Sequence, residues 1–167
     1  MSSIKSLKTK IDGVRIISLT DHSSTGGFFR EIMRKSWLPF SIRQVSLSQT
    51  NPGEIKAFHW HKKQWDVWHV VSGKALVALY DLRSKSPSFK KKERLVLDAE
   101  KKPVIVMIPK KVAHGYKVVG EKPLLVLYMM DKEYNAAKPD EHRIPFDDPK
   151  IDFDWTIQNA KRLQKKD

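Results

Sequence analysis

Between Gly13 and Met130 the chain is a succession of short apolar or alternating runs, each cut off by turn residues. GVRIISL (Gly13 to Leu19) is β-branched, and IRQVSLS (Ile42 to Ser48) alternates apolar and polar as a half-buried strand does. ALVALYDLR (Ala75 to Arg83), RLVLD (Arg94 to Asp98) and VIVMI (Val104 to Ile108) follow. His114 to Met130 supplies two more strands around a GEKP turn. Many short strands separated by turns predict an all-β sandwich or closed barrel. Asp21 to Gly27 (DHSSTGG) reads as a loop, and Phe28 to Ser36 as a strand running into a turn. Residues 1–12 read as a flexible arm, 133–167 as an irregular C-terminal extension, and Ile157 to Lys166 as a short terminal helix. With no internal repeat or linker, 1–167 is expected to form one domain, long enough to bury a core.

Within this β pattern one stretch carries unusual chemistry. GEIKAFHWHKKQWDVWHVVSG, Gly53 to Gly73, places His59 and His61 two residues apart, so on a strand both rings share a face. Phe58, Trp60 and Val67 mark that strand as largely buried. Two buried imidazoles are costly without partners or a task. For one such histidine a satisfied core position is the better reading. For a pair with Asp66 and His114 in the same chain, function is. His69 and His142 read as structural.

Composition narrows the class of function. The absence of cysteine removes disulfides and thiolate metal sites. No apolar run is long enough for a membrane span and the N-terminus lacks the apolar core of a signal peptide, so a cytoplasmic protein is expected. The net charge of +13 invites a nucleic-acid reading, but the lysines are dispersed and no recognition motif accompanies them. A solvated lysine-rich surface accounts for the charge, and it would also draw in an anionic substrate.

Two motifs then give a resemblance. Gly53, five residues, His59-x-His61, four residues, Asp66, six residues and Gly73 resemble the first cupin motif, with Asp for the usual Glu. Pro109 to His114 resembles the second, Pro-x-Gly-x-x-His, with Lys111 at the Gly position. The pair implies a double-stranded β-helix, or jelly-roll barrel. A wider resemblance is to the dTDP-4-dehydrorhamnose 3,5-epimerases, cupins that act on sugar nucleotides. It runs through GGFFREIMRKSW, GEIKAFH, YDLRSKSPSF, IPKKVAHGY, LYMMDKEYNAAKPDEHRIPFDDPKIDFDW and a final LQKKD, in that order.

The resemblance implies a cofactor-free isomerase that removes a proton alpha to a C4 ketone and returns one on the opposite face. Under it His59 is the base, Asp167 its carboxylate partner, and Tyr128 the acid on the other face. Lys56, His61, His114 and Tyr134 contact the substrate, a nucleotide sugar used for surface polysaccharide or deoxysugar synthesis, and the protein is a homodimer. Four departures fall on substrate-binding positions. Gly26 and Lys56 stand where the family has arginines, His61 where it has glutamine, and Asp66 where a lysine would lie near an enolate or phosphate oxygen. Replacing that cation by a carboxylate opposes epimerase chemistry unless something compensates.

Those departures favour rival readings. His59, His61, Asp66 and His114 are the positions that bind Fe, Mn, Ni or Zn in metal-dependent cupins, which include dioxygenases and isomerases. The His-x-His-Lys segment also resembles sugar-nucleotide 3,4-ketoisomerases. A non-catalytic sugar-binding cupin is the remaining alternative. The tyrosine pair favours the epimerase, since a metal site has no need of it.

Overall fold

In a computed structural model, which describes residues 6–158 and 160–163, the chain forms two six-stranded sheets and a separate hairpin. Strands β1 (Ser6–Leu7), β2 (Arg15–Ser18), β3 (Asp21–Ser24), β4 (Gly27–Arg30), β5 (Gln44–Thr50), β6 (Ile55–Trp60) and β7 (Asp66–Ser72) come first. They are followed by β8 (Lys74–Asp81), β9 (Lys92–Asp98), β10 (Val104–Ile108), β11 (Val112–Val118), β12 (Leu124–Met130), β13 (His142–Arg143) and β14 (Lys161–Arg162). One sheet has the order β1-β2-β10-β7-β12-β5, the other β13-β6-β11-β8-β9-β14. From β5 to β12 the chain passes between the sheets at almost every step, the β8–β9 hairpin being a step within one sheet. That winding is the all-β jelly roll implied by the resemblance to the two cupin motifs.

The central strands β7, β8, β10 and β11 read as continuous apolar runs because they are covered on both faces. Ile16, Val70, Leu79, Leu95, Val106 and Val126 fill the space between the sheets. Ile17, Val67, Ile105 and Met107 point the other way and are roofed by Ile32, Met33, Trp37 and Phe40 from the segment before β5. On the outside of the second sheet, Phe58, Ala78 and Ala113 are covered by Ile151, Phe153 and Trp155 of the C-terminal segment. Each such side chain taken fully out of water stabilises the fold by roughly 1.5–3 kcal/mol, before the entropy of ordering it is subtracted.

On two paired strands of one sheet and one strand of the facing sheet, the inner face changes from apolar to polar at the same end. On β7 it runs Val70, Trp68, Asp66; on β11 Val118, Tyr116, His114; on β12 Val126, Tyr128. One end of the barrel is therefore a packed core and the other a polar-lined cavity. Gly115 lets β6 approach β11 there: a Cβ at this position would lie 2.2 Å from the Ala57 Cβ. The register between the two strands shifts at the same place. Lys111, at the position where the second motif carries glycine, has φ +60°, the left-handed conformation glycine serves without steric cost.

Three sequence expectations are corrected. The segment Asp21 to Gly27 is not a loop: most of it forms β3, paired with β4 from Asp21↔Arg30 to Ser24↔Gly27. Its polar residues carry no apolar alternation; a two-point contact of Arg30 with Asp21, at 2.5 and 2.8 Å, holds the hairpin instead. Ile157 to Lys166 is not a helix over its described part. Lys161–Arg162 pairs in parallel with β9, and Arg94 captures the carbonyls of Thr156 and Gln158. The described part of the N-terminal arm is not free either, since Ser6–Leu7 pairs with β2 and Ile11 is buried. Within the C-terminal extension, β13 pairs with β6, which brings the tail to the cavity.

Candidate active site

The polar end of the barrel encloses a cavity of about 360 Å³. His59, His61, Lys56, His114, Tyr128 and Tyr134, all singled out in the sequence, line it. Asp167 lies outside the described residues.

His59 sits on the inner face of β6, with Phe58 on the outer face. Its Nδ1 lies 3.1 Å from Glu141 Oε1, and the same oxygen accepts from Arg143 Nη2 at 2.9 Å. The contact follows from the β6–β13 pairing, in which Arg143 stands opposite His59 and Phe58 exchanges backbone hydrogen bonds with Ile144. With Nδ1–H given to a carboxylate, Nε2 keeps its lone pair. Burial pulls the imidazole below its ordinary pKa, and the opposing pull of Glu141 does not restore it. His59 is therefore neutral near pH 7, the form a base requires. Burial raises the Glu141 carboxyl, but Arg143 and His59 outweigh it and keep the group ionised. Glu141 escaped sequence reasoning because it is 82 residues from His59; the segment DEHRI was noted, its carboxylate was not.

On β12, in the sheet facing His59, Tyr128 Oη donates to Tyr116 Oη at 3.0 Å, and Tyr116 Oη is 2.9 Å from Thr50 Oγ1. Burial, with Tyr116 alongside, pushes the Tyr128 phenol well above its ordinary pKa, so it holds its proton. Trp68 stands edge-on to His114, Tyr116 and Tyr128 and fixes their planes. Tyr134, by contrast, is exposed at the mouth, where its backbone N–H donates to Gln44 Oε1 at 2.7 Å. Lys56 Nζ donates to Ser48 Oγ at 3.1 Å.

A third group occupies the floor. Asp66 Oδ2 lies 3.2 Å from His61 Nε2 and 2.9 Å from His114 Nε2, and Oδ1 accepts from Gln64 Nε2 at 2.8 Å. Asp66 is buried; burial would raise its pKa, but the His114 and His61 contacts outweigh this and hold it far below the usual carboxylate range. Burial lowers His61, yet Asp66 more than reverses that and the net shift is upward. Asp140 secures this corner: its carbonyl accepts from His61 Nδ1 at 2.5 Å, and its carboxylate accepts the backbone N–H groups of Lys62 and Lys63.

Only three of the four candidate metal positions converge. His61, Asp66 and His114 offer ligand atoms within 4.8 Å of one another, whereas His59 is not part of that group. The four-residue ligand set is thus corrected to three, because Glu141 takes the ring of His59. His69 and His142 lie outside the cavity: His69 Nδ1 bonds the Val104 carbonyl, and His142 stacks on Trp60.

Comparison with known proteins gives the family and the fold of the chain. The family model described as dTDP-4-dehydrorhamnose 3,5-epimerase matches residues 8–167. The chain is 45% identical over 149 residues to the spore coat polysaccharide biosynthesis protein SpsL of Bacillus subtilis, covering 89% of this chain and 98% of that protein. It is 30% identical over 151 residues to Agl13 of Haloferax volcanii, a probable low-salt glycan biosynthesis epimerase, covering 89% and 96%. A dTDP sugar isomerase from Desulfovibrio desulfuricans, known from its crystal structure, superposes with a TM-score of 0.82 at 26% identity, covering 89% of this chain and 94% of that one.

Proposed function

The chain belongs to the dTDP-4-dehydrorhamnose 3,5-epimerase family and is an isomerase of the epimerase type, and we propose that it inverts a carbon next to the C4 ketone of a dTDP-linked 4-keto-6-deoxy sugar. His59 Nε2 removes the proton alpha to the ketone. The C–H electron pair moves into a carbon–carbon double bond and the carbonyl oxygen takes the negative charge. When the carbonyl re-forms, Tyr128 delivers a proton from the opposite face, so the centre returns inverted. Solvent then restores both side chains, and there is no net oxidation. The proton transfers call on no organic cofactor.

The observation that carries this reading is the pairing of a neutral, carboxylate-oriented His59 with a protonated Tyr128 in one cavity. Glu141 takes the orienting role and supports the imidazolium as it forms. Lys56, Lys132, Lys138 and Tyr134 line the cavity; in this reading the lysines meet the diphosphate and Tyr134 the nucleotide side of the substrate. The product serves surface-polysaccharide synthesis, and the enzyme works in the cytoplasm. No helix among the described residues is long and apolar enough to cross a membrane.

The protein acts as a homodimer. Strand β5 is an edge strand whose outer face presents Val45 and Leu47, both more than half exposed, and an unpaired apolar edge of this kind is a ready surface for a second copy. Light scattering at working concentration should give twice the chain mass; a monomer would contradict it. For the activity, incubation with dTDP-4-dehydro-6-deoxyglucose should yield a C3 or C5 epimer, read by NMR of the product. Recovery of unchanged substrate would remove the substrate assignment, and migration of the carbonyl to C3 would make the enzyme a ketoisomerase.

A further inference from the structure

We propose that Tyr116 is a positioning residue for the returning proton: with Thr50 it forms a buried hydroxyl chain that reverses direction when Tyr128 acts. This role rests on the epimerase reading, in which Tyr128 is the acid. Tyr116 belongs to β11 in one sheet, whereas Tyr128 on β12 and Thr50 on β5 belong to the other. Within that sheet Tyr128 stands opposite Ser46 and Thr50 opposite Leu124, so it is Tyr116, reaching across the barrel, that connects them. Its Oη lies 3.0 Å from Tyr128 Oη and 2.9 Å from Thr50 Oγ1.

The direction of the chain follows from counting hydrogens. Tyr128 donates to Tyr116. A phenol has a single hydrogen, so Tyr116 directs its own at Thr50, its other partner. In the resting site the proton of the acid therefore points at Tyr116 and not at a substrate carbon. To reach the substrate it swings away, and its bond to Tyr116 is lost. Tyr116 replaces that bond by turning its hydrogen from Thr50 to Tyr128 Oη, while the Thr50 hydroxyl donates to Tyr116. Both bonds of the chain survive with their direction reversed.

Two features suit the group to this reversal. Tyr116 and Thr50 are only 1% and 4% exposed, so water does not compete for their hydrogens. Trp68 stands edge-on to both tyrosines, with ring centroids 5.7 Å from Tyr116 and 5.3 Å from Tyr128, and keeps the rings in place. Only hydroxyl hydrogens, which rotate about their C–O bonds, have to change partner. The reversal matters when the proton is delivered. The new C–H bond takes the electron pair of the enolate, and the pair of the broken O–H bond stays on Tyr128 as phenolate charge. A charge in that setting is costly without a donor, and Tyr116 now presents one. A hydrogen bond to an ionised oxygen is about twice as strong as a neutral one, so Tyr116 favours departure of the proton over its retention. Proton removal by His59 makes no use of the chain.

The test separates proton removal from proton return. Each variant is incubated with dTDP-4-dehydro-6-deoxyglucose in heavy water, and deuterium uptake at the reacting carbon is compared with the fraction inverted. The wild type should show both. Tyr116→Phe should lower inversion by on the order of 100-fold, the effect of losing one oriented donor to a developing oxyanion, with KM unchanged. Uptake without inversion should continue in that variant, because His59 returns a deuteron to the face it took the proton from. Thr50→Val should lower the inverted fraction by roughly tenfold, the worth of one neutral hydrogen bond, and Thr50→Ser, which keeps the hydroxyl, should restore it. A merely structural role would lower uptake and inversion together. That joint loss in Tyr116→Phe, or equal behaviour of Thr50→Val and Thr50→Ser, would overturn the chain. Should Tyr116→Phe fail to fold, the Thr50 pair decides alone. Wild-type protein with neither uptake nor inversion would overturn the epimerase reading and this role with it, whereas wild-type inversion with an unaltered ratio in the variants would overturn this role only.

Discussion

Asp66 and Asp81 are both buried carboxylates, at the start of β7 in one sheet and the end of β8 in the other, and their surroundings separate a structural charge from a working one. Asp81, at the end of β8, accepts from Arg83 Nε and Nη2 at 2.7 and 2.8 Å, from the Arg83 N–H at 2.9 Å, and from Ser86 and Ser88 hydroxyls at 2.7 and 2.6 Å. Arg83 also donates to the Asp12 carbonyl, so the cluster fastens the N-terminal segment to the barrel. Its cation is permanent and every oxygen lone pair is used. Asp66 has no guanidinium. Its partners are Gln64 and two imidazoles, and neither ring is a permanent cation. The lesson is that burial and a depressed pKa do not mark a functional carboxylate; the exchangeability of its counter-charge does.

The comparison can be broken by exchanging the consequences of the two sites. Asp66→Asn removes the charged acceptor shared by His61 and His114 and should lower alpha-proton exchange, with a cooperative unfolding transition retained. Asp81→Ala should do the reverse. Leaving Arg83 and two hydroxyls without their acceptor should destabilise the fold by about 3 kcal/mol, read as a lower urea midpoint, while turnover per folded molecule stays at the wild-type level. If Asp81→Ala lost activity without losing stability, the distinction would fail.

Acid sharpens the same contrast. Burial pushes the Asp81 carboxyl up, but Arg83 and the serine hydroxyls outweigh it and hold it far below its ordinary range. A depressed folded pKa gives stability that is complete above the unfolded value of about 3.9 and fades as pH falls further. The wild type should therefore lose stability steeply below about pH 4, and Asp81→Ala should show a shallower slope there. Equal slopes would show that Asp81 is not the group responsible.

Glu141 is a third carboxylate, only partly buried, and it sits between these extremes. Glu141→Gln keeps the shape but weakens the support of the imidazolium. Its effect should be roughly 10–100-fold in kcat, smaller than the ~10⁴ of a fully buried triad carboxylate, with little change in KM or stability. An unchanged kcat would return the orienting role to another group.

The barrel and most of its working histidines were legible before any coordinates. The strands of the two sheets declare themselves through β-branched runs, and the His59–His61 spacing with Asp66 is local. Glu141 was not legible, since its approach to His59 depends on β13 joining β6 across 82 residues. The split of the four histidine and acid positions was hidden for the same reason: spacing places them on facing strands but does not say which carboxylate claims which ring. At the C-terminus, Ile157, Ala160 and Leu163 fall at intervals that fit a helix, yet the open edge of β9 and the reach of Arg94 draw the chain into a strand. Strand β3 has no apolar signature, and the Arg30–Asp21 pair ties it to β4.

The measurement that bears most directly on the central claim is site-resolved deuterium uptake from heavy water into dTDP-4-dehydro-6-deoxyglucose, comparing wild type, His59→Asn and Tyr128→Phe. The wild type should take up deuterium at the inverted carbon. His59→Asn should lose that uptake by about 10²–10⁴-fold, and Tyr128→Phe should retain exchange on one face while losing inversion. Exchange at the wild-type rate in His59→Asn would contradict the account, because no other residue is given the role of removing the proton.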